Sequence, residues 1–449
     1  MKEMERRKFI KTSASAITSF MIVPRFVLGG KEYQAPSDKL NIAGIGFGGM
    51  GSNDLKNVEH ENIVALCDVD DRYAERVFYR YPNAKKYKDF REMLAAEPEI
   101  DAVTIATPDH THAVIAMAAM KAGKHVFCQK PLAHDIYEVR KMKDSAKELG
   151  VITQMGIQGH AMEGIRLICE WIWDGAIGEV NKVEAWCSIT HYPPGHTVWS
   201  TPCQYRPSVT PPVPGYLDWD LWLGPAPYRP YSPCYHPVVW RNWWDFGSSM
   251  MADRGAHTFD PIVTALKLNS PTSIEAISTD YNEETYPVGS IVNFHFAKRK
   301  GFPELELTWY EGLRPPRPAE LERNRELGEN EGGALFIGSK GKMMCGIYGG
   351  SPRIIPEAKM KEYQQPKKTL PRSPGIYQEW LDGCKSKKPP SANFDYSALV
   401  SEIVLLGNVA KRFNGKVLDW DGDKGKFINN PEADAYLHRP YRKGWSLEG

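Results

Sequence analysis

The chain has 449 residues, 42% of them hydrophobic and 25% charged, and its 56 basic residues nearly balance its 55 acidic ones. This length fits two or three domains, and the balanced charge gives no electrostatic reason to expect a nucleic acid or an acidic membrane as a partner. The eight cysteines include no C-x-x-C pair, so the sequence predicts no metal site.

The N-terminal segment has the pattern of a targeting signal. Arg6 and Arg7 precede a weakly apolar stretch over residues 12–28, as in a Tat export signal. A proline and an arginine interrupt this stretch, which is too short and too polar for a membrane span. We therefore interpret residues 1–37 as a Tat-like signal and linker and expect a periplasmic or otherwise exported protein, with a disordered basic tail as the alternative.

Residues 38–155 alternate short apolar runs with helical patterns. The apolar runs predict strands over residues 40–43, 63–67, 102–107 and 125–128. Strands that alternate with helices form a parallel, doubly wound sheet. The sequence therefore predicts an N-terminal Rossmann domain.

A glycine-rich loop follows the first of these strands. The predicted cofactor contacts of this G-x-G-x-x-G loop are Gly44, Gly46, Phe47, Gly48 and Gly49. Its glycines let the backbone approach a pyrophosphate, which the amides and the dipole of the next helix hold. Asp68 ends the second strand about 20 positions further on, where an acid accepts hydrogen bonds from a ribose and repels a 2′-phosphate. We therefore predict NAD as the cofactor.

Several longer segments resemble one family. They are residues 107–112 (TPDHTH), 122–132 (AGKHVFCQKPL), 154–160 (QMGIQGH), 174–180 (DGAIGEV), 240–247 (WRNWWDFG) and 253–257 (DRGAH). With the glycine loop, they are similar to the glucose–fructose oxidoreductase/inositol dehydrogenase family (Gfo/Idh/MocA). The resemblance covers nearly the whole chain from Leu40 and implies an NAD-dependent oxidoreductase of CH–OH groups. It also implies further cofactor contacts at Thr107, Pro108, Asp109, His112, Gln129 and Lys130.

The same resemblance implies three catalytic residues. Lys130 occupies the place of the lysine in the family's E-K-P motif, although Gln129 replaces the usual glutamate. Asp253 and His257 match the family's D-x-x-x-H signature, and a spacing of four puts them on one helical face. Oxidation of a secondary alcohol needs a base that titrates near neutrality and a positive charge beside the developing oxyanion. We therefore predict His257 as the general acid/base, Asp253 as its orienting or proton-relay partner, and Lys130 as the electrostatic stabiliser.

Residues 156–449 are predicted to form the substrate and oligomerisation domain. Strand-like runs over residues 180–186, 290–296, 305–310 and 333–338 predict a large, mostly antiparallel sheet. The resemblance implies an α/β domain whose open sheet face supports a homo-oligomer. It also implies substrate contacts at Gln158, His160, Arg241, Trp243 and His257.

A Pro-rich and aromatic insertion spans residues 193–237. Long segments of this kind are often functional loops. Stacking and hydrogen-bonding surfaces for a sugar are one interpretation, and a structural cover over the sheet is the other. The side chains that bear on this choice are Trp199, Tyr205, Arg206, Trp219, Trp222, Tyr228 and Tyr235.

These features predict an enzyme that oxidises a secondary hydroxyl of a sugar, glycoside or polyol. The periplasm has no soluble NAD pool, so export implies a cofactor that stays bound and is recycled in place. A second hypothesis is an NAD-dependent glycoside hydrolase or lyase that oxidises transiently, eliminates, adds water and reduces again. A third hypothesis is a non-catalytic sugar sensor, because fold alone does not fix function. The presence of Lys130, Asp253 and His257 argues against it.

Overall fold

The computed structural model describes residues 38–193, 195–280 and 282–448, so the predicted signal lies outside the described residues. Its first sheet has six parallel strands in the order β3-β2-β1-β4-β5-β6. The strands are β1 (Asn41–Ile45), β2 (Asn62–Cys67), β3 (Lys85–Tyr87), β4 (Ala102–Ile105), β5 (His125–Gln129) and β6 (Thr153–Gly156). The connecting helices are α1 (Met50–Val58), α2 (Asp71–Arg80), α3 (Phe90–Ala96), α4 (His112–Lys121) and α5 (Ile136–Leu149). This order confirms the predicted Rossmann sheet.

Local sequence explains these elements well. Strands β4 and β5 are buried along their whole length, as expected for central strands that helices cover on both faces. Asp135 caps α5 through a capping box with Glu138, and Gly150 ends that helix in the left-handed conformation. The strands β3 and β6 escape prediction because both are short and carry polar residues, so neither forms the apolar run that marks β4.

The second sheet has nine strands in the order β13-β12-β11-β7-β10-β9-β8-β14-β15. Only β7 and β10 pair in parallel, so the predicted mostly antiparallel sheet is confirmed. The strands are β7 (Val180–Cys187), β8 (Ser273–Ser278), β9 (Ser290–Phe296), β10 (Leu305–Glu311), β11 (Gly332–Gly338), β12 (Gly341–Cys345), β13 (Arg353–Ile355), β14 (Val417–Asp421) and β15 (Lys426–Phe427).

One helix of the second half matters most for the site. It is α8 (Ser249–Leu266), which is buried along nearly its whole length and packs against β7 and two neighbouring helices. The other helices are α6 (Glu163–Trp173), α7 (Trp219–Leu223), α9 (Glu357–Glu362), α10 (Ile376–Ser386) and α11 (Phe394–Lys411). Burial on all sides holds the polar residues of α8 in fixed places.

The insertion folds as a small aromatic unit against the Rossmann domain. Its core consists of Leu217, Trp219, Trp222, Leu223, Ala226 and Tyr235, together with Trp240, Trp243 and Phe246 from the segment that follows the insertion. A disulfide joins Cys203 to Cys234. Two backbone hydrogen bonds join the unit to the residues after β2. Asp71 N donates to Tyr216 O at 3.0 Å, and Asp218 N donates to Val69 O at 2.9 Å. It therefore covers the edge of the first sheet at which the strands end.

Within the described ranges, no helix has both the length and the apolarity needed to cross a membrane. The same residues contain no cluster of three or more His, Cys, Asp or Glu side chains that is arranged to hold a metal ion.

Candidate active site

A cavity of about 500 Å³ lies where the carboxyl ends of the first sheet's strands meet the insertion and α8. In open α/β sheets this edge is where ligands bind. Every predicted cofactor contact lines the cavity except Gly44, which lies inside β1. Residues far apart in the chain therefore surround one space.

The glycine loop and the start of α1 form one wall. Gly46 has φ +73°, and a Cβ there would lie 2.8 Å from the backbone nitrogen of Thr107, so only glycine fits. A Cβ on Gly51 would lie 2.1 Å from the carbonyl oxygen of Gly46, whereas one on Gly49 would meet only the Tyr73 hydroxyl at 3.3 Å. The close approach of helix to loop thus depends on Gly51, which the predicted glycine motif did not include.

Asp68 lies on the same wall, as predicted. Its carboxylate accepts hydrogen bonds from the backbone nitrogens of Phe47 and Asp70, both at 3.0 Å. Burial raises the pKa of Asp68 to about 6, against the effect of these two bonds, so the group is mostly ionised at neutral pH. Each oxygen keeps a further lone pair for a ribose hydroxyl. A glycine loop, a helix N-terminus and this carboxylate together fit a dinucleotide without a 2′-phosphate.

The residues after β4 continue the cavity wall. The imidazole of His112 lies between the carbonyl oxygens of Thr107 and Pro131, each at 2.9 Å, and so ties this segment to the residue next to Lys130. Asp109 is buried, and burial raises its pKa to about 7, although Lys130 and Arg241 act in the opposite direction. These contacts place the end of β5 beside the end of β4.

Lys130 and Asp253 form the charged centre of the cavity. The Lys130 ammonium contacts the carboxylate of Asp253 and donates to its backbone oxygen at 3.2 Å. The second carboxylate oxygen lies 3.4 Å from His191 Nε2 and 3.5 Å from Arg241 Nε. Burial alone would raise the pKa of Asp253, but Lys130 and its other partners hold it well below its usual range. The carboxylate therefore stays ionised.

His257 lines the same cavity one helical turn from Asp253. It is almost fully buried, and its ring packs on Tyr348 with 4.5 Å between centroids. Burial, followed by the charge of Lys130, lowers the pKa of His257 well below 6.5. The imidazole is therefore neutral at pH 7 and able to accept a proton.

The predicted pairing of Asp253 with His257 is wrong in one respect. The ring nitrogen Nδ1 of His257 makes no hydrogen bond with any described residue, while Asp253 is engaged by Lys130, His191 and Arg241. The four-residue spacing does put both side chains on the cavity face of α8, but the lysine competes successfully for the carboxylate. The Asp253 carboxylate therefore contacts Lys130 rather than the histidine.

The predicted substrate contacts divide into two groups. Gln158 and Arg241 line the cavity beside Lys130. His160 instead lies outside it, with Nδ1 bonded to Asp260 at 2.7 Å. Trp243 is fully buried in the core of the insertion and donates to the carbonyl oxygen of Cys234 at 2.8 Å. A short motif does not show in which direction a side chain points. The side chains of His160 and Trp243 point away from the cavity, so these two predicted substrate contacts fail.

The aromatic residues of the insertion act mainly as a cover. Trp222 lines the cavity, but one face stacks on Trp219 at 4.6 Å. Trp199 also lines the cavity, where its ring stacks on His196 with 3.9 Å between centroids and the guanidinium of Arg241 lies 4.6 Å from its centroid. The five remaining predicted residues lie in the insertion's core or on the surface: Trp219 and Tyr235 are buried, and Tyr205, Arg206 and Tyr228 are exposed. The described rings therefore favour the structural cover over a sugar-stacking platform.

Sequence reasoning missed several residues in and next to the cavity. Tyr348 lines the cavity and His191 contacts Asp253, and neither carries a local signal, because each reaches the site only through the fold. The C-terminal Trp445 also lines the cavity and packs against Phe90. Asp54 could have been identified from the sequence as an unusual buried acid. It shares the buried face of α1 with Gly51, Leu55 and Val58, and a carboxylate on an apolar helix face is rare.

Two family models match the chain. Residues 40–157 match the model described as oxidoreductase family, NAD-binding Rossmann fold, and residues 195–299 match that of the C-terminal alpha/beta domain of the same GFO_IDH_MocA family. The glycine loop, Asp68, Lys130, Asp253 and His257 all lie within these two matches.

Curated relatives align over parts of the chain. An inositol 2-dehydrogenase/D-chiro-inositol 3-dehydrogenase of Lactiplantibacillus plantarum is 34% identical over 152 residues, 32% of this chain and 43% of the relative. A levoglucosan dehydrogenase of Pseudarthrobacter phenanthrenivorans is 32% identical over 115 residues, 26% of this chain and 29% of the relative. The matched segments therefore span less than half the length of either relative.

Solved structures share the fold over most of the chain. The WlbA dehydrogenase from Bordetella pertussis, in complex with NADH and UDP-GlcNAcA, superposes with a TM-score of 0.59 and 15% identity, covering 85% of this chain and 99% of that one. A levoglucosan dehydrogenase in complex with NADH and levoglucosan gives a TM-score of 0.55 and 16% identity, covering 85% and 99%. At this identity the likeness concerns the fold.

Proposed function

Because the chain belongs to the Gfo/Idh/MocA family of NAD-binding oxidoreductases, we propose that it oxidises a secondary hydroxyl of a sugar, glycoside or polyol by hydride transfer. The observation that carries the proposal is one cavity that contains the glycine loop, Lys130 and His257. The printed names of the relatives, which refer to inositols and levoglucosan, support a polyhydroxylated substrate.

Bound NAD supplies a hydride acceptor, so that the carbinol C–H bond breaks with both of its electrons. The residues of the chain handle the oxygen. His257 is neutral and accepts the hydroxyl proton as the O–H electron pair forms the C=O bond. The ammonium of Lys130 stabilises the negative charge that develops on that oxygen, and Asp253 holds the ammonium in place.

The C-terminal segment supports the proposal that the cofactor stays bound. Trp445 lies on the cavity wall under the guanidinium of Arg91, 4.7 Å from the ring centroid. Around it, Arg442 donates to the carbonyl oxygen of Gly224 at 3.0 Å, and Lys121 donates to that of Leu447 at 2.9 Å. The segment thus joins the insertion to the Rossmann domain beside the cavity, and Trp445 offers a bound cofactor one further contact.

Trp445→Ala is therefore expected to accelerate release of bound NAD by about tenfold or more, the effect of losing one buried aromatic contact. The measurement is the NAD retained by the purified protein after repeated gel filtration, together with the first-order release rate. Trp173→Ala, which removes a half-exposed tryptophan of α6 outside the cavity, is the matched control. Equal release rates in the two variants would rule out retention by the tail.

Export and self-association complete the proposal. Arg6 and Arg7 motivate export, and a disulfide between Cys203 and Cys234 suits an oxidising compartment. A homo-oligomer formed through the open face of the second sheet remains a prediction. In an exported enzyme, a second carbonyl compound would take the hydride back within the same site.

The function is tested on purified protein. Denaturation should release NAD or NADH in near-stoichiometric amount, and incubation with sugars, glycosides and polyols should give a product lighter by two hydrogens. Release of an aglycone with an unoxidised sugar would instead favour the hydrolase. Protein that neither contains nor binds NAD would refute the proposal.

A further inference from the structure

A buried carboxylate on α1 has no part in the proposed reaction. Asp54 is fully buried, and its oxygens accept hydrogen bonds from Gln129 Nε2 at 3.0 and 2.9 Å and from the Tyr377 hydroxyl at 2.7 Å. Both of these partners are neutral. Burial raises the pKa of Asp54 to about 6, and the two partners lower it only in part. A buried charge paired only with neutral donors is costly to keep, which points to a functional reason for it.

The carboxylate dictates how the Gln129 amide is oriented. An ionised carboxylate only accepts hydrogen bonds, so the nitrogen of the amide must face Asp54 and the oxygen Oε1 must face away. The other side of the amide packs on β6, where a Cβ on Gly156 would lie 2.7 to 2.8 Å from the amide atoms of Gln129. The amide is therefore held from two sides.

Gln129 is the last residue of β5 and precedes Lys130, and both line the cavity. We infer that Asp54 is a positioning residue: it fixes the Gln129 amide so that its carbonyl oxygen is presented beside Lys130 to a hydrogen-bond donor of the ligand. Such a carbonyl oxygen accepts from an N–H or an O–H, as in the carboxamide or the ribose hydroxyls of a nicotinamide nucleoside. The identity of that ligand rests on the proposed function.

The same geometry explains why glutamine stands at this position. A glutamate at 129 would bring a second carboxylate within hydrogen-bond distance of Asp54 in a buried site, where like charges repel strongly. One carboxylate and one amide are compatible, whichever of the two positions holds the acid. The inference therefore predicts that the acid and the amide can be exchanged together but not separately.

The experiment measures NAD affinity by titration calorimetry and thermal stability for the protein freed of NAD. In D54N, the asparagine can present either end of its amide, so it no longer dictates the orientation of the Gln129 amide. NAD affinity should then fall about tenfold, which is the effect of losing one hydrogen bond. In Q129E, both the Tm and NAD affinity should fall. In D54N/Q129E, the Tm should return towards the wild-type value and NAD affinity to within about threefold.

Asp144→Asn, at an exposed acid of α5, is the matched control and should change neither quantity. Tyr377→Phe keeps the acid and the amide, so it should affect stability more than NAD affinity. A folded D54N with wild-type NAD affinity would overturn the inference, as would a double variant no better than Q129E. A wild-type protein that binds no NAD would overturn the proposed function instead, which keeps the two failures distinguishable.

Discussion

His257→Ala is expected to lower kcat by about 10²- to 10⁴-fold, the usual contribution of a general acid/base, while NAD stays bound. The imidazole is neutral at pH 7 and lines the same cavity as Lys130, Asp253 and the glycine loop. Its removal leaves the cofactor wall intact. The measurement is steady-state turnover with the best substrate from the screen, alongside NAD content per protein chain.

The pH profile gives an independent check on His257. Burial and the charge of Lys130 hold its pKa well below 6.5, so protonation disables the base only at lower pH. We therefore expect the acidic limb that His257 contributes to kcat/KM for oxidation to lie below pH 6.5. His295→Ala, at an exposed histidine of β9, is the control and should keep both the rate and the profile. Near-normal turnover in His257→Ala would remove the histidine from the mechanism.

Lys130→Met is expected to lower kcat by about 10²- to 10³-fold, the effect of losing one stabilising group at a developing oxyanion. It should also destabilise the fold by about 3–5 kcal/mol, because the buried carboxylate of Asp253 loses its nearest cation. The measurements are turnover and the free energy of unfolding at pH 7. Lys424→Met, at an exposed lysine of the β14–β15 turn, should change neither value.

The stability loss should depend on pH with a definite sign. Lys130 holds the pKa of Asp253 below its unfolded value, so the pair stabilises the fold above about pH 4 and this contribution is lost as the pH falls through the folded-state pKa. The difference between wild type and Lys130→Met should therefore shrink in acid. Lys130→Arg, which keeps the charge, should recover most of the stability but little of the turnover. A difference independent of pH would show that the pair does not act through charge.

Local patterns of apolar residues in the sequence predicted much of the fold. Apolar runs such as 63–67 and 290–296 predicted β2 and β9 within one residue, because burial of alternate or consecutive side chains is a property of the strand itself. The spacing of Asp253 and His257 also predicted that both share one face of α8. The sequence by itself thus determined the two sheets and the glycine loop, and it pointed to Lys130, Asp253 and His257, which line one cavity.

Contacts between distant segments were decided only by the tertiary structure. Asp253 pairs with Lys130, 123 positions away in the chain, rather than with its helical neighbour, and Trp445 reaches the cavity from the C-terminus. Trp243 and His160 turn away from the cavity although their motifs suggested otherwise. The physical reason is that partners are chosen by competition for hydrogen bonds and buried space, and the competitors come together only when the whole chain is packed.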